Sequence, residues 1–200
     1  ISPKHTRDGV DWAVAPHSAW QLSDAVAMPG DVELAQHIAQ NVPGMELDSS
    51  AHVNEHGIEV QLPILQRLAP QTRVAAIAMS GGSFDEVQQA AKSLADCLLG
   101  MSDPPLLVIS SDMNHFADDE ENRRRDRLAL DQLAQLDPRG LLDVCERENI
   151  SMCGQLPAAF VLLTLQAMGI QASFQEIGYG TSADTSGDKS RVVGYASVLF

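Results

Sequence analysis

The stretch LLVISSDMNHF, residues 106–116, passes from four apolar residues, Leu106 to Ile109, straight into Ser110, Ser111, Asp112, Asn114 and His115. A short apolar run bounded by polar residues reads as a buried strand. Here that strand would deliver hydroxyls, a carboxylate and an imidazole at its carboxyl end. The competing reading is a turn whose polar residues cap a helix. The flanking segments bear on the choice. On one side SFDEVQQAAKSLADCLLG (83–100) opens with a Ser83-to-Glu86 capping box and closes on Gly100, which predicts a helix. On the other side a long charged helix is expected from about 117 to 135.

Further out the same alternation continues. DVELAQHIAQNV (31–42) has Asp31 placed to cap, with Val32, Ala35, Ile38, Ala39 and Val42 on one face. RVAAIAMS (73–80) reads as a buried strand. A short helix is expected over 138–147, and PAAFVLLTLQAMG (157–169) predicts an apolar helix ending at Gly169. ASFQEIGY (172–179) and RVVGYASVLF (191–200) read as strands. Strands separated by helices need crossover connections, so the expected fold class is α/β, with a central mostly parallel or mixed sheet flanked by helices. One domain is expected over 1–200. GTSADTSGDKS (180–190) is the one extended small-polar loop, long enough to be functional.

Charge narrows the function. Thirteen Lys and Arg stand against 27 Asp and Glu, a net charge of −14. Such a field repels phosphate backbones, so no nucleic-acid partner is expected. The densest basic run, Arg123–Arg125, follows Asp118, Asp119, Glu120 and Glu121 and reads as an exposed helical turn of mixed charge. No apolar run reaches the roughly 18 residues a membrane helix requires, and the first residues, ISPKHTRDG, have no signal-peptide pattern. Cys97, Cys145 and Cys153 show neither zinc-finger spacing nor an even-numbered disulfide framework. A reducing cytoplasm is the expected location.

Ligand sites in open α/β sheets collect beyond the carboxyl ends of strands. That rule singles out His5, the pair Asp112 and His115, and the loop 180–190. Two imidazoles and a carboxylate can hold a divalent metal if they converge, whereas each histidine taken singly reads as a surface or capping residue. In AHVNEHGIEVQLP (51–63), His52 and His56 lie four apart, as do Glu55 and Glu59. The order is not that of a zinc-binding HExxH helix, and Gly57 weakens a helix there, so a polar loop leading into a helix is expected. Cys153, in SMCGQLP (151–157), stands at the entry of the apolar helix, where the dipole favours a thiolate. A small buried hydrophobe is the other reading of Cys153. Cys97 and Cys145 fall within helical patterns and read as packing residues.

Five motifs, SPKHT, AHVNEHGIEVQLPIL, VISSDMNHF, MCGQLPAAF and TSADTSGDKSRVVGYAS, occur in the order seen in the Memo-like family, over essentially all 200 residues. Bacterial and archaeal members of that family are also called AmmeMemoRadiSam system protein B. The resemblance implies an α/β fold akin to class III extradiol ring-cleavage dioxygenases of the LigB type, which hold a non-haem iron. By this resemblance His5, His115 and Cys153 are metal ligands, for iron or copper. His56 or Glu55 would act as general acid or base, and Asp112 would orient a histidine. Gly57 departs from the family's usual serine. The family's N-terminal HAGY motif, which supplies another pocket ligand, has no counterpart here, so this chain is expected to lack that segment.

Two functional readings follow. The first is a metal-dependent, dioxygenase-like oxidoreductase acting on an unknown small molecule or peptide. The second is a non-catalytic binding or scaffold protein with a vestigial metal site, working with AMMECR-type and radical SAM partners. A serine hydrolase built on Ser110 or Ser111 with His115 lacks a GxSxG elbow.

Overall fold

Asp31 accepts the Leu34 N–H at 3.1 Å, so the helix expected at 31–42 has its cap where the sequence put it. The computed structural model describes all residues from 1 to 200. They divide into two compact units, 1–110 and 111–200.

In the first unit the order is β1 (Ser2–Pro3), β2 (Trp12–Val14), β3 (Ala19–Ser23), β4 (Val26–Pro29), α1 (Val32–Asn41), β5 (Glu46–Leu47), α2 (Ser50–Val53), α3 (Leu62–Leu68), β6 (Ile77–Met79) and α4 (Phe84–Leu99). Four strands form a mixed sheet in the order β1-β6-β2-β5. β1 runs parallel to β6 and β5 parallel to β2, while β2 and β6 are antiparallel. The reciprocal box between Ser83 and Glu86 starts α4, whose Val87, Ala90, Ala91, Leu94, Ala95 and Leu98 are buried at helical spacing. Each of the larger apolar side chains contributes about 2 kcal/mol by leaving water. β3 and β4 make a hairpin whose Trp20 and Met28 pack with Ile58 and Leu62. That packing anchors the turn between α2 and α3.

The second unit contains β7 (His115–Ala117), α5 (Asp119–Ala134), α6 (Pro138–Arg147), α7 (Gln155–Ala167), β8 (Gln175–Thr181), α8 (Ala183–Ser186) and β9 (Val192–Leu199). Its sheet is antiparallel throughout, in the order β7-β9-β8. α7 is buried on every side from Pro157 to Thr164, which accounts for its unbroken apolar sequence. The loop expected at 180–190 contains the single turn α8 and closes on Gly187 in the left-handed region. The arginine run lies on α5, with Arg124 and Arg125 paired to Glu121 and Arg123 to Asp119 and Asp184.

The protein is therefore α/β, with a mixed sheet flanked by helices. One element is corrected. Residues 106–109 form no strand. An apolar run still needs a ladder partner to become a strand. Here the backbone is tied only to Ile1, whose amino group donates to the Val108 carbonyl at 2.7 Å and whose carbonyl accepts the Ser110 N–H at 2.9 Å, and Leu106 stays largely exposed. The strand of that region comes later, at His115. The strand expected over 73–80 is shorter than the apolar run, since only Ile77–Met79 joins the sheet. No helix is long and apolar enough to cross a membrane.

Candidate metal centre

β1 ends at Pro3, and the Lys4 N–H continues the pairing to the Met79 carbonyl at 2.9 Å. The chain then delivers His5 beyond the strand's carboxyl end. Asn54 terminates α2, so Glu55, His56 and Gly57 sit in a turn ahead of α3, as the glycine predicts. A Cβ at position 57 would lie 2.8 Å from the Ser2 Cβ, so glycine lets this turn close against β1.

The Glu55 carboxylate is fully buried and organises the corner. Its Oε2 accepts the His5 backbone N–H, and its Oε1 accepts the Gly57 N–H at 2.9 Å and the His5 Nδ1–H at 2.8 Å. A carboxylate only accepts, so the proton of neutral His5 sits on Nδ1 and the Nε2 lone pair is left for a ligand. His56 stacks on His5 with ring centroids 4.7 Å apart and planes 17° from parallel, and its Nδ1 stands 3.7 Å from Glu55 Oε1. Burial works to raise the Glu55 carboxyl, but the hydrogen bonds from the His5 side chain, the His5 backbone and Gly57 outweigh it and hold it below the ordinary value. One potential ligand atom from each of His5, Glu55 and His56 lies within 4.8 Å of the others, so the group could hold a metal ion. Two imidazoles and a carboxylate suit iron, zinc or copper rather than calcium or magnesium. A cavity of about 270 Å3 elsewhere in this unit, among Leu34, Leu62, Leu65, Leu94 and Leu98, is lined by none of the three. Its mostly apolar walls offer little chemistry, so the cluster is the candidate site.

The second unit builds a histidine corner with the same device. At β7 the register shifts between His115 and Ala117, and Phe116 takes φ +69°, which turns its ring outward under the Arg191 guanidinium at 4.3 Å. His115 donates its Nδ1–H to the Ser151 carbonyl at 2.6 Å, leaving Nε2 3.5 Å from Asp112 Oδ2. The hydrogen bond to Asp112 raises the His115 pKa, burial opposes the rise, and the Ser151 carbonyl adds to it. The Asp112 backbone N–H donates to Cys153 Sγ at 3.1 Å, just ahead of α7, while the Gly154 N–H donates to the Ser111 hydroxyl at 2.8 Å. Cys97 and Cys145 are buried as packing residues, and burial pushes the Cys145 thiol up to about 12.

Of the residues singled out in the sequence, His5, Glu55 and His56 thus come together in the first unit, and Asp112, His115 and Cys153 in the second. Sequence reasoning missed the support of His115: Asn114, Asn122 and Asp126, all fully buried, with Ser151 and Tyr179. One signal was available. Asn122 and Asp126 lie four apart and continue the buried face of Ala129, Leu130 and Leu133 toward the start of α5.

A family model described as Memo-like protein matches residues 1–199. The whole chain is also similar to several MEMO1 family proteins. That of Methanopyrus kandleri is 31% identical over 201 residues, and the match covers 70% of its length. That of Desulfurococcus amylolyticus is 34% identical over 203 residues, again over 70% of its length. That of Aquifex aeolicus is 31% identical over 201 residues, over 73% of its length.

Proposed function

The chain belongs to the Memo-like family, and from that premise we propose that His5, Glu55 and His56 hold a redox-active metal, iron or copper, in a non-haem oxidoreductase acting on a small molecule or peptide. The observation that carries the reading is the buried Glu55 carboxylate, which fixes His5 with its Nε2 lone pair outward. A buried carboxylate is costly to keep, and here its hydrogen bonds are spent on orienting one imidazole.

A bound ion would supply Lewis acidity and one-electron chemistry. The chain's own groups do the rest. His5 is a ligand through Nε2. Glu55 holds His5 in that tautomer from the far side of the ring. His56, two-thirds exposed and stacked on His5, would offer the second imidazole. In the second unit Asp112 accepts from Nε2–H of protonated His115, and Cys153 offers a thiol beside it. We assign His115 and Cys153 as metal-directed groups on the family resemblance. Ring cleavage of a catechol, and company with AMMECR-type and radical SAM proteins, belong to the proposal on that resemblance alone.

The test is titration with Fe(II), Cu(I) and Zn(II), with elemental analysis, of wild type, His5→Ala, His56→Ala, His115→Ala and Cys153→Ala. One equivalent bound by wild type and lost in His5→Ala is the expected result, followed by oxygen-dependent loss of catechol with Fe(II). Failure of the wild type to bind any of the three ions overturns the metal reading and leaves a binding or scaffold role.

A further inference from the structure

Behind His115 lies a chain of buried polar groups whose direction is set at one end. Asp126 is fully buried on α5; burial raises its carboxyl above the ordinary value, and in the ionised form its oxygens only accept. Oδ1 takes the Asn114 backbone N–H at 2.6 Å, and Oδ2 takes the Asn122 amide at 3.0 Å and the Tyr179 hydroxyl at 2.6 Å. With its NH2 committed to Asp126, Asn122 turns its Oδ1 to the Asn114 amide at 2.7 Å. Asn114 is then left with its own Oδ1 facing Ser151, where it accepts the backbone N–H at 3.0 Å and the hydroxyl at 3.2 Å. Ser151, held by both groups, receives the His115 N–H on its hydroxyl at 2.8 Å and the His115 Nδ1–H on its carbonyl at 2.6 Å.

A carboxamide can present either end, and only its neighbours decide which. We propose that Asp126 is a positioning residue whose carboxylate orients Asn122 and Asn114 in sequence, so that Ser151 fixes His115 as the Nδ1–H tautomer with Nε2 available to a metal or a proton. Replacing the carboxylate by a carboxamide puts a donor where Asn122 needs an acceptor. Asn122 then turns over, Asn114 follows, and Ser151 meets an NH2 group instead of an oxygen. A surface histidine would need no such backing, and an apolar core would be easier to build than a buried carboxylate with two amides. β9 makes room for it with glycine, because a Cβ at Gly194 would lie 1.8 Å from Asp126 Oδ2.

The tautomer stands on the hydrogen bonds of the second unit. Its use rests on reading His115 as a reacting or metal-directed group, and work on metal-free protein keeps the two apart. The experiment is 15N NMR of the His115 ring nitrogens, at a pH where the ring is neutral, in wild type, Asp126→Asn, Ser151→Ala and Tyr179→Phe. Wild type is expected to favour Nδ1–H by about tenfold, and Asp126→Asn to bring the two forms to about equal populations. Ser151→Ala, at the surface and with little risk to folding, is expected to move the ratio the same way by a smaller factor. Tyr179→Phe also removes a hydrogen bond to Asp126 but leaves the relay intact, so its melting temperature should fall with the tautomer unchanged. An Nε2–H tautomer in the wild type overturns the proposal. So does a ratio in Asp126→Asn and Ser151→Ala equal to that of the wild type. Loss of metal binding with the tautomer intact would instead count against the metal reading.

Discussion

Gly194 on β9 and Asp126 on α5 approach so closely that a methyl group on the first would overlap the carboxylate of the second, at 1.8 Å. The strand backbone and the buried acid therefore share one space. Gly194→Ala must displace Asp126 or the strand, and overpacking together with broken hydrogen bonds is expected to cost about 2 to 4 kcal/mol. Denaturant unfolding of the variant checks this. A loss below about 0.5 kcal/mol would mean that the contact relaxes freely.

Much of the architecture was legible because local chemistry and global packing agree. Asp31 and the Ser83–Glu86 box start helices where capping chemistry places them. The run 106–109 misled because apolarity signals burial or a missing partner equally, and ladder pairing is not a local property. The antiparallel sheet of the second unit was hidden for the same reason. At the site, spacing gave Glu55–His56 only as a polar loop; the meeting with His5, 50 residues away, comes from tertiary packing. Asn122 and Asp126 were obscured by the charges around them, from Asp118 to Arg127, which made the whole first half of α5 read as solvated.

His52 predicts an acid transition. It is 3% exposed, packed edge-on against His17 and Trp20, and its Nε2 has no hydrogen-bond partner. Burial, then the neighbouring His17, lowers its pKa to about 4. The unfolded chain therefore takes up a proton near pH 6.5 while the folded chain resists, so stability falls as pH drops from about 6.5 to about 4, by on the order of 3 kcal/mol. Unfolding free energies measured across that range should show the slope, and His52→Gln should flatten it. An unchanged slope in the variant would assign the acid loss to other groups.

The three thiols should separate by reactivity. Cys145 is 2% exposed with its thiol near pH 12, and Cys97 is buried with its pKa raised by burial, whereas Cys153 is partly exposed at the head of α7. A disulfide reagent applied to the native protein at pH 8 is expected to titrate one thiol rapidly. Cys153→Ser should remove that phase. Rapid modification persisting in the variant would place the reactive thiol elsewhere.

Glu55→Gln tests the organising carboxylate without removing a metal-binding imidazole. The amide keeps one acceptor oxygen but sets a donor against the remaining N–H groups, at an expected cost of about 2 to 4 kcal/mol in stability and about 10- to 100-fold in metal affinity. Because the carboxyl of Glu55 is held below its ordinary value, its contribution is complete above that value and is lost as pH falls through the folded one. The variant should lack that acid limb.

The most direct measurement is X-ray absorption of the protein loaded with one equivalent of Cu(I) or Fe(II), comparing wild type with His5→Ala and His56→Ala. Imidazole scattering is expected around the wild-type ion, and it should lose one ring's contribution in each variant. A spectrum unchanged by both substitutions would show that the metal sits elsewhere and would contradict the assignment of His5, Glu55 and His56 as its site.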